Sequence, residues 1–174
     1  MQAKRAGFVA WFVVCCLLLF GGTSAATSIG GTPPPQISVA AGTGLELVHY
    51  TTAGRLIAID VIIETQGATP FSSDVYVVIL SPDGRATSLL VNGALPFINA
   101  VPSLVTGPPV PLFGNVILDK GAEARLLIPN FGAGGPPGWY VICGLIVAAG
   151  RDPGDPKQWA SSSFFPLLVT SGNQ

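Results

Sequence analysis

The stretch that decides the fold lies near the C-terminal end of the chain: Gly138-Trp139-Tyr140-Val141-Ile142-Cys143-Gly144-Leu145-Ile146-Val147. It is apolar and rich in β-branched and aromatic residues, which favour strands. The loop Arg151-Asp152-Pro153-Gly154-Asp155-Pro156 follows it, and a second apolar run extends from Trp159 to Val169. Two β-prone runs joined by a loop of turn-forming residues predict a long β-hairpin.

Another strand is predicted from the alternation between residues 55 and 64. Every other position there is a β-branched apolar residue, so one face is expected to lie on a core. These positions are Ile57, Ile59, Val61 and Ile63.

Two further hairpins are predicted from turn signals. The stretch Ser81-Pro82-Asp83-Gly84 is typical of a type I turn and would join strands at 74–80 and 86–91. Residues 119–121 would join strands at 112–118 and 123–128. Prolines 96, 102, 108, 109 and 111 mark residues 92–111 as loops or edge segments, because proline donates no ladder hydrogen bond.

The composition indicates an all-β protein. Charged residues are 10% of the chain and apolar residues 49%, with 22 Gly and 16 Pro, a balance that favours a folded domain with many turns over disorder. The predicted fold is an antiparallel β-sandwich, immunoglobulin-like or with Greek-key connections, with about seven to nine strands. A closed barrel is the alternative, but the proline-rich middle makes continuous pairing harder.

The N-terminal residues predict export. Lys4 and Arg5 precede an apolar run at 8–20, and small residues follow at 21–26, as in a secretory signal peptide cleaved near Ala25 or Ala26. The run is shorter than the roughly 18 residues of a membrane-spanning helix. The predicted organisation is a signal peptide at 1–26, a flexible Gly/Pro-rich arm at 27–36 and a single β-sandwich domain at 37–170. The mature protein is expected to be secreted, extracellular or periplasmic, with no membrane span.

Removal of the signal peptide would leave Cys143 as the single remaining cysteine, which excludes an intramolecular disulfide. Its place between Ile142 and Gly144 in an apolar strand favours an inert, buried thiol.

The loop at 151–156 holds the candidate metal ligands. Asp152 and Asp155 lie among Gly and Pro, and Ca²⁺ takes carboxylate and carbonyl oxygens from such loops. The alternative is turn chemistry, in which each aspartate bonds its own backbone. Calcium bound by Asp152 and Asp155 is therefore one hypothesis, and no other cofactor is expected.

Aromatic residues are the candidate ligand-binding groups. Trp139 shares strand parity with Val141 and Cys143, so its side chain is expected in the core. Tyr140 has the opposite parity and is expected at the surface, and Trp159 follows the loop. The predicted ligand-binding residues are Tyr140 and Trp159, which could stack on a sugar.

Catalysis and nucleic-acid binding are not predicted. His49 is the only histidine, and no nucleophile elbow, zinc-binding His pair or Cys-x-x-Cys accompanies it, so the protein is expected not to be an enzyme. The net charge is −1, and the basic residues beyond the signal peptide are scattered, which provides no footprint for nucleic acid.

A resemblance supports the fold prediction. The stretches that carry it are Asp74-Val75-Tyr76-Val77-Val78-Ile79-Leu80-Ser81-Pro82-Asp83-Gly84, Pro137-Gly138-Trp139-Tyr140 and residues 152–165. Over roughly residues 37–169, the chain is similar to immunoglobulin-like and pre-peptidase C-terminal-like accessory modules of bacterial extracellular proteins. The similarity lies in strand and turn signatures and implies an accessory role without a shared catalytic set.

These patterns lead to one hypothesis with two alternatives. The hypothesis is an exported, non-catalytic β-sandwich protein that acts in binding, adhesion or assembly at the cell surface, with a protein or glycan partner. One alternative is a fibre or pilus-like subunit whose arm, Ile29 to Ala40, completes a neighbour's sheet by strand addition. The other is a carbohydrate-binding module.

Overall fold

The computed structural model of the chain describes residues 34–42, 49–65, 71–93 and 97–171. The predicted signal peptide and residues 27–33 of the predicted arm lie outside the described residues. Within them the chain forms eleven β-strands and one 3₁₀-helix, at Pro156–Gln158. The strands are β1 (Gln36–Ala41), β2 (His49–Thr52), β3 (Arg55–Glu64), β4 (Phe71–Leu80), β5 (Ala86–Leu90), β6 (Phe97–Ala100), β7 (Ser103–Thr106), β8 (Phe113–Leu118), β9 (Ala122–Phe131), β10 (Gly138–Ala148) and β11 (Trp159–Thr170).

The strands form two sheets. The four-stranded sheet has the order β1-β3-β9-β6, and the seven-stranded sheet has the order β2-β11-β10-β4-β5-β7, with β8 also paired to β4. All pairs are antiparallel except β2 with β11 and β6 with β9, which are parallel. The predicted β-sandwich is confirmed. The strand number exceeds the expected range because short strands form even within the proline-rich middle.

The connections follow the immunoglobulin order. In that fold, strands A, B, E and D form one sheet and strands G, F and C form the other. Here β1, β3 and β9 take the places of A, B and E, while β11, β10 and β4 take those of G, F and C. β6 lies in the place of D but runs parallel to β9. The fold is an immunoglobulin-like Greek-key sandwich with this local departure.

The main core lies between the sheets. The face of β3 that alternation assigned to the core is buried as predicted, with side chains at most 3% exposed. Opposite it, Ile142 of β10 and Leu167 of β11 are fully buried. The predicted C-terminal hairpin is confirmed, since β10 and β11 pair from Gly138 to Val147.

β1 is held by both sheets. It pairs with β3 along one edge. On its other edge, the amide of Ile37 donates to Ser161 Oγ at 3.0 Å and that of Val39 to Ser163 Oγ at 3.2 Å, both on β11. Gly144 of β10 makes room for it, because a Cβ there would lie 2.5 Å from Val39 Cγ1. Residues 36–41 of the chain are therefore built into their own sandwich.

The predicted hairpin around residues 119–121 is wrong, because β8 and β9 belong to different sheets. β8 pairs with β4, whereas β9 lies between β3 and β6. Both strands bury side chains in the same core from opposite sides. Three extended residues reach about 10 Å, which is the spacing between packed sheets, so a short turn can cross between sheets as well as close a hairpin.

A second apolar cluster covers much of the outer face of the seven-stranded sheet. Six buried residues of β4 and β10 form it, with Trp159 and Phe164 of β11 packed against them. Cys143 is a fully buried member, as predicted. The six residues are Tyr76, Val78, Leu80, Cys143, Leu145 and Val147.

None of the helical structure in the described part of the chain is long and apolar enough to cross a membrane.

Candidate functional site

The two predicted calcium ligands serve local turns. Asp152 Oδ1 accepts a hydrogen bond from the amide of Gly154 at 2.8 Å. Asp155 caps the 3₁₀-helix, accepting from the amide of Lys157 at 3.0 Å. Both contacts are those of aspartates that bond their own backbone in turns.

The described residues contain no group of three or more His, Cys, Asp or Glu side chains that could hold a metal ion. Calcium binding at Asp152 and Asp155 stays a prediction, and the observed geometry of both carboxylates is already explained by the turn.

Asp74 holds two segments together beside this loop. The register between β4 and β8 shifts at Asp74, and Asn115 of β8 adopts a φ of 51° there. The Asp74 carboxylate is buried; Oδ1 accepts from the amide of Asn115 at 2.7 Å and Oδ2 from the amide of Gly150 at 2.8 Å. It therefore anchors both the bulge of β8 and the start of the loop that leads to Trp159.

Trp159, a predicted ligand-binding residue, is partly buried under this loop. Its Nε1 donates to the carbonyl of Pro153 at 2.8 Å, and its ring lies 6.2 Å from that of Phe164. Both rings pack on the outer apolar cluster. Trp159 therefore packs over part of the outer face of the seven-stranded sheet.

Tyr140, the other predicted ligand-binding residue, lies in the main core, so its expected surface position is wrong. Only 5% of it is exposed, and its ring meets Phe131 edge-on at 5.4 Å. Its hydroxyl donates to the carbonyl of Pro136 at 2.9 Å, four residues upstream. Burial, and less strongly the nearby Asp83 carboxylate, raises the pKa of Tyr140, while Arg85 acts in the opposite direction. This arrangement corresponds to the tyrosine corner of immunoglobulin folds.

Trp139 is exposed, so its expected core position is also wrong. The side chains that share its parity point to the outer face of the seven-stranded sheet, and the second apolar cluster covers that face only from Val141 onward. Trp139 lies beyond this cover and is 53% exposed. Both faces of β10 are apolar, so the alternation of its side chains does not show which face meets the main core.

Trp139 belongs to a set of three side chains on this outer face that we call the aromatic row: Tyr50, Leu168 and Trp139. Leu168 of β11 is the register partner of Tyr50 on β2 and of Trp139 on β10. Register partners point to the same face of a sheet, so the three side chains stand side by side across three strands. Tyr50 is 66% exposed and Leu168 is half-buried.

A polar turn flanks the aromatic row. Residues 81–85 connect β4 to β5, and Pro82 lies against Gly138, since a Cβ at Gly138 would meet the Pro82 ring at 3.1 Å. Arg85 Nε lies 2.7 Å from Asp83 Oδ2, and Ser81 Oγ also bonds Asp83. The Ser81 hydrogen bond and the Arg85 charge lower the pKa of Asp83. The turn therefore presents an ionised carboxylate and a guanidinium to solvent.

His49 has a packing role. Its ring lies where a side chain at Gly42 would be, because a Cβ there would be 2.4 Å from Nδ1. Gly42 also has a φ of +77°, which favours glycine.

An open groove of about 550 Å³ lies elsewhere, where β3 ends and β9 begins. It presents two glutamates and no aromatic ring. Its lining residues are Ile62, Ile63, Glu64, Thr65, Gly121, Ala122 and Glu123.

The sequence pattern did not predict that Tyr50 and Trp139 form an exposed pair. Trp139 follows Gly138, the first residue of β10, which has a φ of 139°. A side chain at the very start of a buried strand lies near the edge of the covered region. The position of Trp139 directly after the Gly/Pro loop was therefore the signal in the sequence for its exposure. Nothing in the four residues of β2 indicates that Tyr50 joins it, because the pairing of β2 with β11 is parallel and remote in sequence.

Comparisons with known proteins do not identify the chain. No family model matches it, and no curated protein matches it. Among solved structures, the CARDB domain of a Pyrococcus furiosus protein in complex with di-metal ions is 14% identical, with a TM-score of 0.39 over 83% of this chain and 100% of that chain. An alkylpurine DNA glycosylase of Pseudomonas fluorescens, bound to DNA containing an abasic site analog, is 16% identical, with a TM-score of 0.34 over 95% of this chain and 36% of that chain. At these values neither similarity bears on function.

Proposed function

We propose that this protein is exported and acts as a non-catalytic binding domain at the cell surface, through the aromatic row. The observation that carries the proposal is the pair of exposed aromatic side chains, Tyr50 and Trp139, on the outer face of the seven-stranded sheet beyond the apolar cluster of β4 and β10. Tyrosine and tryptophan are enriched at binding surfaces because each offers a large, rigid contact area at low entropic cost.

The strand-addition alternative is less well supported. It requires the segment that ends at Ala40 to lie in a neighbour's sheet. Here residues 36–41 pair with β3 of their own chain, and Ser161 and Ser163 occupy the amides on the second edge of β1. That observation favours a self-contained binding domain.

Export is proposed from residues 1–26. The full chain would be expressed in a secreting host, and the N-terminus of the product would be mapped by intact mass. Cleavage after Ala25 or Ala26 is expected, and an intact N-terminus on a cell-retained product would contradict export.

Binding is tested on cell envelopes of the producing organism, with fluorescently labelled protein purified after export. Saturable binding is expected, and the double variant Tyr50→Ala/Trp139→Ala should lose most of it. Leu56→Ala and Ile117→Ala are the matched controls, because both residues are more than 60% exposed outside the row. Absence of saturable binding would contradict the function, and equal loss in the controls would contradict the site.

A further inference from the structure

The dimensions of the aromatic row indicate what size of ligand it suits. Tyr50 and Trp139 lie on strands separated by β11, so their backbones are two strand spacings, or about 10 Å, apart. A fully buried aromatic side chain covers about 150–250 Å², so these two, a half to two-thirds exposed, offer roughly 250 Å².

That area is too small for a typical protein partner or a second copy of the chain. Stable protein interfaces bury about 800 Å² on each partner. The side chains next to the two rings add little exposed area, because Leu168 and Pro166 are half-buried. Beyond them, the residues of the outer apolar cluster are buried. A ligand that uses two separate ring faces fits the area better than a broad macromolecular surface.

The charges beside the row indicate a neutral ligand. The flanking turn carries one carboxylate and one guanidinium, which pair with each other. This turn therefore brings to the row no excess of positive charge that would attract phosphate, an anionic lipid or nucleic acid. Paired polar groups beside aromatic rings can instead exchange hydrogen bonds with hydroxyl groups.

We propose that the aromatic row binds a neutral polysaccharide, with sugar rings stacked on Trp139 and Tyr50 and hydroxyl groups bonded to the 81–85 turn. The C–H-bearing face of a pyranose is apolar and slightly positive, which complements the negative face of an aromatic ring. Tyr50 and Trp139 lie on the same face on either side of β11, so an extended chain that crosses β11 can contact both rings. This inference rests on the proposed binding function and names the ligand class for the same surface.

The experiment measures retention on polysaccharides. Protein purified after export is incubated with insoluble cellulose, chitin and mannan, and run through gels containing soluble α- and β-glucans. Retention by at least one neutral polymer is expected. Trp139→Ala should weaken it roughly tenfold or more, as for a central aromatic contact. Tyr50→Ala should weaken it less, Trp139→Phe should keep most of it, and Leu56→Ala should leave it unchanged.

The outcomes separate this inference from the proposed function. Loss of envelope binding in Trp139→Ala, with no retention on any of these polymers, would overturn the polysaccharide inference and keep the binding surface. Trp139-dependent binding to phosphatidylglycerol vesicles, or a Trp139-dependent dimer in sedimentation, would overturn it in favour of a lipid or a second copy. Retention that survives Trp139→Ala would overturn the assigned site.

Discussion

Trp139 and Trp159 lie on the same outer face of the seven-stranded sheet and have opposite environments. Trp159 packs on the outer apolar cluster, and its Nε1 is bonded to Pro153 of the preceding loop. Trp139 lies at the other end of the hairpin, beyond the cluster, and is 53% exposed. The difference shows that the face of a strand does not determine the exposure of a side chain. The segment that covers the face does.

The segment that covers Trp159 is the loop between β10 and β11, and polar contacts hold it in place. Asp74 holds Gly150 at its start, and Asp155 caps the short helix before Trp159. No comparable segment among the described residues packs over Trp139, whose neighbour toward β4 is the exposed 81–85 turn. We therefore expect the Trp159 end to contribute stability and the Trp139 end to contribute binding.

The largest loss of stability is expected for Asp74→Ala. It removes the acceptor of two partly buried amides, each costing about 1–3 kcal/mol, so the free energy of unfolding should fall by about 3 kcal/mol. Urea unfolding followed by circular dichroism measures this. Asp119→Ala, at an exposed turn, is the control and should be neutral. An Asp74→Ala protein as stable as its parent would show that the covering loop is not anchored there.

A smaller loss is expected for Trp159→Ala. Because the side chain is only partly buried, the free energy of unfolding should fall by about 2 kcal/mol, below the range for fully buried tryptophans. Trp159→Phe keeps part of the packing and should lose about 1 kcal/mol with the Nε1 hydrogen bond. The same unfolding assay applies. If Trp159→Ala abolished polysaccharide retention at unchanged stability, the two tryptophans would have exchanged roles.

Tyr140→Phe should cost about 1 kcal/mol, because it removes the hydrogen bond to Pro136 that closes the loop beside Trp139. The substitution should also change how the free energy of unfolding depends on pH in alkaline solution. Burial raises the pKa of Tyr140 in the folded state, so its contribution is present below the ordinary tyrosine pKa of about 10 and is lost as pH rises through the higher folded value.

Unfolding at pH 8 and at pH 11 measures this effect. The parent should lose more stability than Tyr140→Phe over that interval. Tyr76, whose pKa is also raised by burial, is present in both proteins and cancels in the comparison. Identical losses would show that Tyr140 is not held in its neutral form by the fold.

The smallest effect on stability is expected for Trp139→Ala. Substitutions at exposed positions usually change the free energy of unfolding by less than about 0.5 kcal/mol. The same substitution should produce the largest loss of binding. Ile117→Ala, at a similarly exposed site on β8, should change neither quantity.

The sequence predicted the sandwich and the C-terminal hairpin because alternation and turn residues are local signals. It could not assign Trp139 and Tyr140, because β10 is apolar on both faces and only the tertiary packing distinguishes the main core from the outer cluster. The 119–121 turn misled for a related reason, since the local pattern does not show whether two strands share a sheet. Tyr50 joined the site through a parallel pairing across more than a hundred residues, which no local pattern encodes.

The most direct test of the account is the binding of Trp139→Ala to cell envelopes, compared with its parent at matched folded fraction. We predict that the affinity falls roughly tenfold or more while the free energy of unfolding stays within about 0.5 kcal/mol. Unchanged affinity, or a loss explained by a fall in stability of about 2 kcal/mol like that expected for the partly buried Trp159, would contradict the division of this face into a structural end and a binding end.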